Sequence, residues 1–226
     1  MNAKPVSEHV REHRSLLAGA EKRTLIWIAK RLPRWVTSDQ LTLLGLLSMF
    51  VAGCCYWASR WHKGTLPLVV VALALNWFGD SLDGTLARVR NHQRPRYGFY
   101  VDHVIDILGM LFLLGGLALS GFMSPLITLG LLVAYLMVMA EVYLATCVQG
   151  IFRLASLGFG PTELRIVLSV GTLSLLRSPV VRVAGMGPFK LFDVGGVVAM
   201  ACLGLAFLLS AARNTRDLYR AEPLVY

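Results

Sequence analysis

The sequence has 226 residues, of which 56% are apolar and only 15% are charged, with a net charge of +9. Soluble globular domains are roughly 45–50% apolar and about 25% charged, and disordered chains are less apolar still, so this composition excludes both classes. A basic and apolar chain is typical of a membrane bundle that faces anionic lipid or an anionic substrate, and no soluble basic domain remains to bind nucleic acid.

The first part of the chain, residues 1–36, mixes basic and apolar side chains ahead of any long apolar run. Leu25, Ile28 and Ala29 fall on one helical face, which basic residues flank. Such a face is typical of a helix that lies in the plane of a membrane surface. We therefore expect an N-terminal amphipathic helix on the anionic inner leaflet.

Six apolar runs follow within residues 37–212. A helix needs roughly 20 residues to cross a hydrocarbon core about 30 Å thick. The second and fifth runs reach that length only if they extend into the polar residues beside them. The sequence thus predicts an all-α bundle of six transmembrane helices, followed by a tail at residues 213–226. The runs are 41–57, 66–78, 104–121, 126–149, 166–176 and 194–211.

The distribution of positive charge supports this arrangement. If the N-terminus is cytoplasmic and six spans alternate, 17 of the 22 Lys and Arg residues lie in cytoplasmic segments and 5 lie outside. Cytoplasmic loops of membrane proteins carry such an excess of positive charge. We therefore expect a multi-pass protein, in a bacterial inner membrane, whose two termini and residues 80–106 face the cytoplasm.

Four aspartates lie at the end of the second run and the start of the third: Asp80, Asp83, Asp102 and Asp106. Their spacings of three and four residues place each pair on one face of a helix. Four like charges in one volume would repel each other, whereas two Mg²⁺ or Mn²⁺ ions would neutralise them and prefer such oxygen ligands. Paired ions stabilise phosphoryl displacement, so the pattern predicts a phosphate-containing substrate, and its depth in the membrane predicts a lipid reactant.

Other residues of this segment fit the same chemistry. Gly84 and Ala87 are small enough to let a phosphorylated group approach the helix backbone, and Arg88 can pair with phosphate oxygens. His103 would point about 100° away from Asp102 on a helix, so we expect it to contact another helix rather than a metal.

The spacing D-x2-D-G-x2-A-R-x9-G-x3-D-x3-D resembles the signature of the CDP-alcohol phosphotransferase family, and all eight fixed positions are present. The resemblance implies transfer of a substituted phosphoryl group from a CDP-linked donor to an alcohol, with release of CMP. It also implies a homodimer of six-span subunits with a cavity open to the cytoplasm.

The resemblance further implies roles for single residues. Asp106 would be the general base as well as a metal ligand, and Arg88 would support the donor phosphates. The full implied set comprises the metal ligands Asp80, Asp83, Asp102 and Asp106, and the donor-binding positions Gly84, Ala87, Arg88 and Gly98.

The acceptor is open at this stage. We favour CDP-diacylglycerol as donor with a soluble alcohol as acceptor. However, the Asp102-His103 pair and the stretch 160–163, Gly-Pro-Thr-Glu, resemble choline and ethanolamine phosphotransferases, which use diacylglycerol as acceptor. Candidate residues for a head-group site are Arg94, Arg96, Arg153, Glu163 and Arg165.

Two further classes are weaker alternatives. Membrane prenyltransferases also bind diphosphates through aspartates and Mg²⁺, but they lack the Gly-Ala-Arg spacing found here. A cation transporter would hold its carboxylates near the membrane midplane on several helices, not at one cytoplasmic end.

Overall fold

The computed structural model describes residues 18–149, 161–183 and 185–222. Within these ranges the chain forms seven α-helices, one short 3-10 turn at Lys63–Thr65 and one two-stranded hairpin. The elements in chain order are α1 (Ala18–Arg31), α2 (Ser38–Ala58), α3 (Leu66–Val89), α4 (Pro95–Ser120), α5 (Pro125–Gln149), α6 (Pro161–Arg177), β1 (Val180–Val183), β2 (Met186–Lys190) and α7 (Leu191–Ala221).

Five helices of the described ranges, α2, α3, α4, α5 and α7, are long and apolar enough to cross a membrane. The second predicted span extends into its polar flank as required, because α3 continues past both Asp80 and Asp83. The protein is therefore an all-α polytopic membrane bundle, as the sequence predicted.

The fifth predicted span differs from this expectation. It forms α6, which has 17 residues and is not among the five long apolar helices. The helix does extend over residues 162–165, but it ends at Arg177 instead of continuing through residues 178–181. Pro179 explains the end, because proline disfavours helical geometry in the residue before it and cannot donate a backbone hydrogen bond.

A hairpin that the sequence analysis did not predict joins α6 to α7. Strands β1 and β2 pair antiparallel, with Val181 opposite Phe189. After it, α7 runs for 31 residues, about 46 Å at 1.5 Å per residue, which exceeds the thickness of a hydrocarbon core. The chain therefore remains helical well past residue 211, where the last apolar run ends.

The amphipathic helix is present as α1, but its apolar face contacts protein. Leu25 and Ala29 are buried in a cluster with Leu41, Leu82 and Leu86. Leu25 and Ala29 therefore pack against α2 and α3, and the position of α1 at the membrane surface stays a prediction. Residues 1–17 lie outside the described ranges.

Helix α2 packs closely against both helices that carry the aspartates. A Cβ atom on Gly79 of α3 would lie 2.5 Å from the carbonyl oxygen of Leu41, and one on Gly53 would lie 2.2 Å from that of Phe112 in α4. Only glycine allows backbones to approach this closely. The largest apolar cluster includes Tyr56, near the end of α2, and Leu66, at the start of α3. The aspartates lie towards the other end of α3 and so at the other end of the bundle.

Candidate active site

The turn between α3 and α4 brings the two pairs of aspartates to the same end of the bundle. Asn91, two residues after α3, adopts a left-handed conformation with φ 57°, which asparagine tolerates better than most residues. The N–H of His92 donates to the oxygen of Ala87 at 2.9 Å, a pairing that closes a helix C-terminus. Pro95 then begins α4, where its missing N–H costs nothing.

Three of the four aspartates form a group. Asp80, Asp102 and Asp106 each offer a carboxylate oxygen, and these three atoms lie within 4.8 Å of one another. Asp80 and Asp102 are half-buried, whereas Asp106 is exposed. Carboxylate oxygens are the ligands that Mg²⁺ and Mn²⁺ prefer, so this donor set fits a divalent ion.

Asp83 is not part of this group. It is buried, and its Oδ2 accepts a hydrogen bond of 2.7 Å from the Thr42 hydroxyl of α2. Its Oδ1 accepts from the backbone N–H of Gly84. Asp83 lies within electrostatic range of Asp80 and Asp102, so its charge acts on the same volume although its oxygens face α2 and α3.

Arg165 of α6 supplies a positive charge to the group. Its guanidinium forms an ion pair with Asp80, and its Nε donates to Oδ1 of Asn76 at 2.8 Å. The side chains of Arg165 and Asp80 are only 16% and 27% exposed. This partial burial makes their attraction stronger than that of an exposed pair.

The other residues of the signature lie along the same ends of α3 and α4. A Cβ on Gly84 would lie 3.5 Å from a guanidinium nitrogen of Arg88, whose Nη2 also donates to Thr85 at 3.1 Å. Arg88 and Gly98 are exposed, and Ala87 lines a basic surface depression beside them.

The candidate head-group residues are dispersed. Arg94 pairs with Asp39, which raises the pKa of the Arg94 guanidinium, and it lies over the ring of Tyr97 at 4.1 Å. Arg96 is exposed, and Glu163 is half-buried in the first turn of α6. Arg153 lies outside the described residues. Arg165, another of these candidates, contacts Asp80 of the signature.

His103 lies between helices, as the sequence indicated. Its Nδ1 is 2.6 Å from the carbonyl oxygen of Phe99, and its ring meets the ring of Tyr143 in α5 at 5.1 Å. It is buried and lies outside the group of three carboxylates.

Three residues outside the signature were missed by the sequence analysis. Thr42 and Asn76 make the contacts described above, and Tyr135 of α5 lies within electrostatic range of all three grouped aspartates. Asn76 could have been found, because it is a polar residue four positions before Asp80 in an apolar helix. Thr42 and Tyr135 gave no such signal, since each lies on a helix remote in sequence from the aspartates.

The comparison with known families agrees with this geometry. A family model described as CDP-alcohol phosphatidyltransferase matches residues 35–212, which contain all eight residues of the signature. No curated protein matches the chain.

Proposed function

This chain belongs to the CDP-alcohol phosphatidyltransferase family, a family of membrane transferases that act on substituted phosphate groups in lipid synthesis, and we propose its reaction and site as follows. The donor is CDP-linked, with CDP-diacylglycerol favoured, the acceptor is an alcohol, and CMP is released. The observation that carries the proposal is the group of carboxylate oxygens of Asp80, Asp102 and Asp106.

We assign two Mg²⁺ or Mn²⁺ ions to this group together with Asp83. Asp83 lies within electrostatic range of Asp80 and Asp102, so four negative charges near one another need a compensating charge of this size, and Arg165 supplies one unit of it. Bound ions would supply the positive charge that stabilises a phosphoryl group during its transfer.

Asp106 is the proposed general base. It is the exposed member of the group, so an acceptor hydroxyl can reach it while Asp80 and Asp102 remain half-buried. Asp106 takes the proton of the acceptor hydroxyl while the oxygen of that hydroxyl forms a bond to the phosphorus distal to cytidine. The bond from this phosphorus to the bridging oxygen breaks, and CMP leaves with that oxygen.

The donor binds beside the group in this proposal. Gly84, Ala87 and Gly98 leave the backbone accessible to the cytidine nucleotide, and the exposed Arg88 pairs with its phosphates. The excess of positive charge in segments on one side supports a cytoplasmic active site, in a bacterial inner membrane. We also propose a homodimer, on the strength of the family resemblance.

The decisive experiment measures CMP release by the purified full chain with Mg²⁺ or Mn²⁺. One arm supplies labelled CDP-diacylglycerol with glycerol 3-phosphate, inositol, inositol phosphate or serine. The other supplies CDP-ethanolamine or CDP-choline with diacylglycerol. CMP release in the first arm, lost on chelation of the metal, supports the proposal. Release in the second arm alone would mean that the donor is a CDP-linked small alcohol and the acceptor is diacylglycerol. No release in either arm refutes the reaction.

A further inference from the structure

Two hydroxyl groups of α2 reach Asp83. The hydroxyl of Ser38 donates to its backbone oxygen at 2.9 Å, and the hydroxyl of Thr42, one helical turn later, donates to its carboxylate Oδ2 at 2.7 Å. Neither Ser38 nor Thr42 belongs to the signature. Asp83 is therefore held by two side chains on one turn of α2.

The single proton of the Thr42 hydroxyl has two acceptors within reach. The backbone oxygen of Ser38 lies 3.1 Å away, whereas the carboxylate oxygen of Asp83 lies 2.7 Å away. A carboxylate is the stronger acceptor, and hydrogen bonds to it are shorter than those to neutral groups. The proton is thus directed to Asp83, and the bond to Ser38 is the weaker one.

The backbone beside this hydroxyl packs closely against α3. Leu41, the preceding residue, places its carbonyl oxygen against Gly79 so closely that a Cβ there would lie only 2.5 Å from it. Close packing of these two backbones therefore sets the distance from Thr42 to α3. The hydroxyl of Thr42 restrains the rotation of the Asp83 carboxylate.

We infer that Thr42 is a positioning residue, which sets the orientation of the Asp83 carboxylate and through it the affinity of the neighbouring aspartates for metal. The inference rests on the proposed function, because it assigns Asp83 to the metal site. Hydrogen-bond partners that orient metal ligands typically contribute about 10- to 100-fold to metal affinity. The hydroxyl carries this effect, so serine substitutes for threonine and valine does not.

The test measures Mn²⁺ binding by the full chain in detergent or nanodiscs, using electron paramagnetic resonance of free Mn²⁺. We expect Thr42→Val to weaken binding about 10-fold or more and Thr42→Ser to stay within about 3-fold of the unsubstituted chain. Ser48→Ala is the matched control, since Ser48 is a buried hydroxyl of α2 that donates to the Leu44 carbonyl, and it should leave binding unchanged.

A double variant separates positioning from a general effect on folding. In the background of Asp83→Asn, Thr42→Val should weaken Mn²⁺ binding no further, because the group through which it acts is already altered. Melting temperatures without metal identify any variant that fails to fold, and Thr42→Ala then replaces Thr42→Val.

The outcomes are distinct. If the unsubstituted chain binds no Mn²⁺, the proposed metal site fails and the inference fails with it. If the unsubstituted chain binds Mn²⁺ and a folded Thr42→Val binds it equally well, only the inference is overturned. Equal losses in Thr42→Ser and Thr42→Val would also overturn it, because the hydroxyl would then not be the cause.

Discussion

Arg165 and Asp80 form an ion pair between α6 and α3, although 85 positions separate them along the chain. Asn76, one turn before Asp80, accepts the Nε proton of the same guanidinium and donates its own amide to the oxygen of Gly45 in α2. Helices α2, α3 and α6 are thus linked through Asn76 and Asp80. The guanidinium of Arg165 therefore contacts Asp80, a carboxylate that also belongs to the proposed metal site.

This ion pair gives the first prediction. Arg165→Gln removes a positive charge beside three carboxylates, so Mn²⁺ should bind more tightly, by about 5-fold for an interaction of about 1 kcal/mol. Turnover should nevertheless fall at least about 10-fold, because Asp80 loses the guanidinium that orients it. Mn²⁺ titration and CMP release measure the two effects.

Arg177→Gln is the matched control for this substitution, because it removes an exposed arginine from the last turn of the same helix. It should change neither Mn²⁺ affinity nor turnover. Weaker Mn²⁺ binding by Arg165→Gln would contradict the view that Arg165 competes with the metal for Asp80.

The second prediction concerns Asp106. Asp106→Asn keeps the size of the side chain but removes its ability to take a proton, so turnover should fall about 100-fold or more. Donor binding should be partly retained, because Gly84, Ala87 and Arg88 are unchanged. CMP release measures turnover, and equilibrium binding of labelled CDP-diacylglycerol measures donor binding. Normal turnover in this variant would refute the assignment of the base.

The third prediction concerns the attachment of α1. One oxygen of Glu21, Oε1, accepts from Trp77 of α3 at 2.7 Å and from Thr162 of α6 at 2.9 Å. Glu21→Ala should destabilise this junction by about 2 kcal/mol, because both donors lose a charged acceptor. Hydrogen exchange should accelerate in α1 and at the start of α6.

Glu21→Gln is the informative comparison, because its amide oxygen can accept both hydrogen bonds. The backbone amides of α1 and of the start of α6 should exchange far more slowly in Glu21→Gln than in Glu21→Ala. Equal acceleration in both variants would show that the negative charge of Glu21, and not the acceptor oxygen, maintains the junction.

The fourth prediction concerns the contact between α2 and α3. Gly79→Ala places a methyl group 2.5 Å from the backbone oxygen of Leu41, so the helices must separate at a cost of about 1–3 kcal/mol. The melting temperature should fall. Gly115→Ala in α4 meets no atom within 4 Å and should leave the melting temperature unchanged or slightly raised. A similar decrease in both variants would argue against close packing as the cause.

Sequence patterns predicted the features that depend on neighbouring residues. Five of the six predicted membrane spans followed from continuous apolar runs, and the placement of Asp102 with Asp106 followed from helical spacing, whereas Asp83 lies apart from Asp80. The same local patterns did not predict the end of α6, because the hydropathy of a flank does not reflect the effect of a proline, here Pro179, on helix geometry.

By itself, the sequence determined that this chain is a helical membrane protein with an acidic signature at the ends of two spans, because helical period and hydropathy are set by residues close together in the chain. Only the tertiary structure decided that Asp83 faces Thr42, that Arg165 neutralises Asp80 and that α1 covers α3. These contacts join residues more than 40 positions apart, and they depend on how closely the helices pack and how they rotate. No local period encodes either quantity.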